Sequence, residues 1–101
     1  MAKLEPIDKI SREFVAAVFS GWNGDLAFTP STLERIREGG LDQVDVLEIV
    51  EDGVPTNVTK ESADETIIEI SGRTVSGAKL RVTLSYNPHL PCFCVVGVAV
   101  L

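Results

Sequence analysis

The chain is 101 residues long and carries 9 Lys and Arg against 15 Asp and Glu, a formal net charge of −6. That length holds one domain, residues 1–101, and no second one. Hydrophobic residues at 45% and charged residues at 24% exclude disordered, collagen-like and low-complexity chains. All of the negative excess lies in residues 1–53, with 11 acids and 5 bases, whereas residues 54–101 hold 4 of each. Direct nucleic-acid binding needs a basic face, so this distribution argues against it.

The opening Met1-Ala-Lys-Leu-Glu lacks the apolar core of a signal peptide. Leu4, Ile7, Ile10, Phe14 and Val18 then recur at three- and four-residue steps, which predicts a helix from about Pro6 to Phe19, stopped by Ser20-Gly21. After the loop around Trp22 and the short apolar Leu26-Ala27-Phe28, a second helix begins at Thr29-Pro30-Ser31. Thr29 or Ser31 can cap it, Pro30 suits its first turn, and Gly39-Gly40 ends it. Asp42 caps a third helix, Gln43 to about Glu51, on which Val44, Leu47 and Val50 repeat at three-residue steps; Gly53 and Pro55 end it.

The remainder reads as strands. A weak one covers Val54 to Thr59. Thr66, Ile68 and Ile70 alternate with Ile67, Glu69 and Ser71, and Leu80 to Tyr86 alternates cleanly between a dry and a wet face, with a turn at Ser76-Gly77 between these two. Beyond the connection Asn87-Pro88-His89-Leu90-Pro91, Phe93 to Val100 is apolar on both faces, with Val96, Val98 and Val100 expected on one and Phe93, Val95 and Ala99 on the other. Both faces therefore need cover, from helices or a second subunit. The apolar run from Cys92 is about half the ~20 residues that cross a bilayer. Cys92 and Cys94 point the same way on a strand and do not bridge each other, which fits a reduced, cytoplasmic compartment. Two Cys and one His fall short of a structural zinc site. The expected fold is α+β, N-terminal helices packed on a curved antiparallel meander.

Phe28-Thr-Pro-Ser-Thr-Leu-Glu-Arg-Ile-Arg-Glu-Gly-Gly-Leu41, Asp45-Val-Leu-Glu-Ile-Val-Glu-Asp-Gly53 and Ser71-Gly-Arg-Thr-Val-Ser-Gly77 resemble the small bacterial DUF4258 family, which is related to RelE-like and BrnT-like ribonuclease toxins. The resemblance covers residues 26–101, with residues 1–25 forming an N-terminal helix and loop outside it. It implies a RelE-like or barnase-like sheet packed on helices. Arg35, Arg37 and Arg73 match the family pattern. Members typically place a His just after the Thr-Pro that opens the helix, where this chain has Ser31, and often an Arg before the closing Gly, where it has Gly39. A serine of ordinary pKa does not replace an imidazole as base for the 2′-hydroxyl proton, so the resemblance implies a fold without its catalysis.

Four sets of residues carry candidate chemistry. Arg35, Arg73 and Arg81 form a candidate anion site, although Arg35 and Arg37, two apart on a helix, point about 200° apart. His89 is the one imidazole, near Tyr86. Asp42, Asp45, Glu48 and Asp52 fall within about 120° of one helix face at 100° per residue, with no Lys or Arg in residues 42–52, either a solvated stripe or a surface for a basic partner. Trp22 either anchors its loop on the core or adds to that binding surface. The expectation is a non-enzymatic immunity or antitoxin-type protein that neutralises a nuclease toxin by binding its basic domain. A homodimer stays open, and no cofactor, metal, direct nucleic acid or membrane is expected. The alternatives are a ribonuclease toxin acting through the arginines and His89, or a mobile-element protein with another ligand.

Overall fold

The computed structural model describes residues 8–22, 24–90 and 93–101, and of residue 10 only the backbone. In chain order the elements are α1 (Lys9–Ser20), β1 (Leu26–Phe28), α2 (Pro30–Glu38), α3 (Gln43–Asp52), β2 (Val54–Ser62), β3 (Glu65–Arg73), β4 (Lys79–Tyr86) and β5 (Phe93–Val100). Local chemistry sets the helix starts. The carboxylate of Asp8 accepts from the N–H of Ser11 at 2.8 Å, and Thr29 Oγ1 accepts from the N–H of Thr32 at 3.2 Å, so Thr29 and not Ser31 caps α2. Leu4 and Ile7, and the start expected at Pro6, lie outside the described residues.

The strands form one sheet in the order β1-β5-β4-β3-β2. This is α+β, but the sheet is mixed, which corrects the expected antiparallel meander. β2 to β5 do follow one another antiparallel, yet β1 runs parallel to β5, with Leu26 opposite Phe93 and Phe28 opposite Val95. Three residues are too few to show a period, and their partner strand is the last in the chain.

One face of the sheet holds the core. Ile68 and Ile70 of β3, Leu80, Val82 and Leu84 of β4, and Phe93, Val95 and Val98 of β5 pack under Val15 of α1, Ile36 of α2, and Val46, Ile49 and Val50 of α3. Two details depart from the sequence pattern. On α3 the buried stripe is Val46, Ile49 and Val50, while Val44 is 60% exposed. On β5 a bulge breaks the alternation: Leu84 pairs with Val95 and Thr83 with Gly97, which leaves Val96 as the extra residue. Val98 therefore joins Phe93 and Val95 on the core face, and Val96 and Val100 are exposed.

Among the described residues no helix covers the opposite face, and its rows carry Glu65, Glu69, Arg81, Thr83 and Ser85. Ser71 shares this face. It is only 2% exposed, and its Oγ has no hydrogen-bond partner among the described residues. A buried hydroxyl without a partner costs free energy, so Ser71→Ala should stabilise the fold by about 1 kcal/mol in urea titration. Gly53 permits the close seat of α3 on β3. A Cβ there would meet the Ile49 carbonyl, Ile70 Cγ2 at 2.6 Å and the Ser71 carbonyl at 2.9 Å. Gly53→Ala should accordingly cost several kcal/mol by the same titration, as should Val98→Asp, which buries an unpaired charge. An unchanged melting temperature for Val98→Asp would place β5 outside the core.

Candidate functional site

α3 presents the acids singled out in the sequence, and their surroundings divide them into two groups. Asp42 is the N-cap: its Oδ1 accepts from the N–H of Val44 at 2.8 Å and of Asp45 at 3.1 Å. Asp45 returns the bond, its Oδ2 accepting from the N–H of Asp42 at 3.0 Å, which completes a capping box. Glu48 reaches across to the β3–β4 turn, where its Oε2 accepts from the N–H of Val75 at 3.2 Å. Three of the four stripe residues thus hold local structure. Asp52 does not: it is exposed, beside exposed Glu51, in the last turn of α3.

That position has an electrostatic consequence. The C-terminal end of a helix carries partial negative charge, so acids there are disfavoured and bases favoured, by about 0.3–1 kcal/mol each at a surface. α3 ends in Glu51-Asp52 with no basic residue in its last turn. Among the described residues no Lys or Arg forms an ion pair with Asp42, Asp45, Glu48, Glu51 or Asp52. At its C-terminal end the negative charge of this helix opposes helix stability.

Trp22 is half-buried. Its ring lies at 5.4 Å from that of Phe93 and 5.7 Å from that of Phe19, centroid to centroid, and its Nε1 donates to the Asp25 carbonyl at 2.8 Å. Of its two roles read from the sequence, the anchor is the one its contacts describe. Phe93 also meets Tyr86 at 5.8 Å, so the Trp22 loop is pinned by an aromatic cluster.

The cations gather elsewhere, on the open face of the sheet. Arg73 stands directly opposite Lys79, and Arg81 opposite Ser71 and Ala99. α2 lies beside β5, and Ser31, Thr32 and Arg35 border a groove of about 350 Å³ whose sheet side includes Thr83, Gly97 and Ala99. Arg73 and Arg81 thus share one end of the open face with Lys79, which the sequence reading did not include, and Arg35 borders the groove beside it. His89 is not with them. It follows the far end of β4, and its Nε2 lies 3.3 Å from Oδ1 of Asp64 in the β2–β3 turn. Arg81 and Tyr86 alone are separated by roughly 16 Å of strand.

Cys94 is a free, half-buried thiol opposite Ser85, while Cys92 lies outside the described residues. Among the described residues no three His, Cys, Asp or Glu side chains form a metal-binding group, and no helix is long and apolar enough to cross a membrane. No known family, curated protein or solved structure matches this chain.

The division of labour on α3 is measurable. Asp42→Ala should cost about 1 kcal/mol through the lost cap. Asp52→Ala should cost nothing or stabilise slightly, because it removes a charge from the wrong end of the helix dipole. Equal losses for the two in thermal melts would contradict this assignment.

Proposed function

We infer that the protein is a non-enzymatic binding protein of the immunity or antitoxin type, which neutralises a nuclease toxin by binding its basic domain on the helical side of the sheet. One observation carries the reading. Glu51 and Asp52 sit where the helix dipole penalises them, and among the described residues neither forms an ion pair. A charge that the fold pays to keep is accounted for by a basic partner surface, which gains from it in steering and complementarity. The net charge of −6 adds long-range attraction in the same sense. Ser31 in place of the histidine of the resembling family supports the non-enzymatic part of the reading.

The test is co-expression with the product of the adjacent reading frame, scored by growth and by integrity of cellular RNA. Wild type should restore both. Glu51→Lys with Asp52→Lys leaves the Asp42–Asp45 capping box and the buried Val46, Ile49 and Val50 in place, so it should melt at or slightly above the wild-type temperature. Protection should nevertheless fall, with an association rate about tenfold slower at low salt and a smaller difference at high salt. Full protection by this double variant would remove the α3 end from the interface. Degradation of bulk tRNA by the purified protein, lost on Arg35→Ala, would replace the reading with that of a ribonuclease.

A further inference from the structure

Three cations from two strands share one end of the open sheet face, and a fourth, Arg35, borders the groove beside it. Arg73 closes β3 and Lys79 opens β4 directly opposite it. Arg81 is two residues further along β4 on the same face, a step of roughly 7 Å. Arg35 borders the groove from α2, and the groove's sheet side includes Ala99, the cross-strand neighbour of Arg81. Like charges directly opposite one another on antiparallel strands repel. Among the described residues Arg35, Arg73 and Lys79 form no ion pair, and Arg81 has only Glu69, at 3.8 Å. In a chain with six more acids than bases, a general surplus of base does not explain such a concentration. The fold gains nothing from it either, since the core lies on the other face.

We propose that this end of the open face binds a compact, doubly charged oxyanion of the phosphate type, with Arg73, Lys79 and Arg81 meeting it from the sheet and Arg35 from α2. The anion is a free ion or the terminal phosphoryl group of a small molecule. Guanidinium groups match the oxygens of a phosphoryl group two at a time, and the Lys79 ammonium adds a point charge. A polymer of phosphates suits the surface less well. It would leave the cations after one or two residues and run over Glu69 and Glu65 on the same strand, where the field is repulsive. The site lies across the sheet from α3 and is independent of the toxin-binding reading.

The experiment is chemical-shift mapping on the ¹⁵N-labelled chain at constant ionic strength, with four probes: sodium phosphate, sodium chloride, a ribonucleoside 5′-monophosphate, and a short RNA without terminal phosphate. Phosphate should shift the amides of 71–73, 79–83 and 31–35 saturably, and chloride should not. Tighter binding of the monophosphate than of phosphate identifies a small-molecule ligand, and the reverse order identifies the free ion. Arg73→Gln with Lys79→Gln should weaken binding at least about tenfold while raising the melting temperature, because the repelling pair is gone. Lys60→Gln, a cation on the opposite face, should change neither. Absence of saturable shifts at these residues, unchanged affinity in the double variant, or binding of the RNA in preference to both phosphates would each overturn the proposal.

Discussion

Burial of one face of the sheet is the constraint from which the rest of the molecule follows. Ile68, Ile70, Leu80, Val82, Leu84, Phe93, Val95 and Val98 make a continuous apolar layer across three strands, and helices close over it. Each such side chain contributes about 1.5–3 kcal/mol when fully buried, against a net stability of about 5–15 kcal/mol for a domain. Few positions in that layer can change. The opposite face is under no such demand, so its cations and hydroxyls are free of the core. The β5 bulge at Val96 maintains the separation: without the extra residue, Val98 would turn out to solvent and Gly97 inward.

The acids of α3 illustrate how one charge pattern serves two ends. Near the start of the helix, Asp42 and Asp45 satisfy backbone N–H groups and complement the dipole, so capping alone accounts for them. At the end of the helix the same dipole makes Glu51 and Asp52 unfavourable. The informative residues are therefore the two whose presence the fold resists. A stripe counted only by its spacing gives all four acids equal weight and conceals this difference.

Much of the fold was legible because its signals are local. The cap at Asp42, the stop at Gly39-Gly40 and the alternation along β4 are each written within a few consecutive residues. What escaped depends on distant partners. β1 is a strand because Phe93 to Val95 lie beside it. The face of α3 that is buried was decided by what packs on it, since Val44, Val46, Leu47, Ile49 and Val50 present apolar side chains on more than one side. The cation cluster required the register of β3 on β4 and the position of α2 beside β5. Arg35, Arg73 and Arg81 were recognisable as candidates, but Lys79 became visible only when paired with Arg73.

The sheet also separates the two candidate surfaces electrically. The acidic end of α3 lies on the helical side and the cation cluster on the open side, at least one layer spacing apart, about 10 Å. At physiological ionic strength the screening length is about 8 Å, so charges exposed on the two sides interact weakly through solvent. Filling one surface with a ligand of opposite charge thus changes the affinity of the other little by electrostatics alone. Two contacts join α3 to this end of the sheet: Gly53 lies against Gly72, one residue from Arg73, and the Glu48 carboxylate accepts from the Val75 N–H in the turn between Arg73 and Lys79. The helix that carries the acids is thus tied by the Glu48–Val75 hydrogen bond to the turn that spaces Arg73 from Lys79.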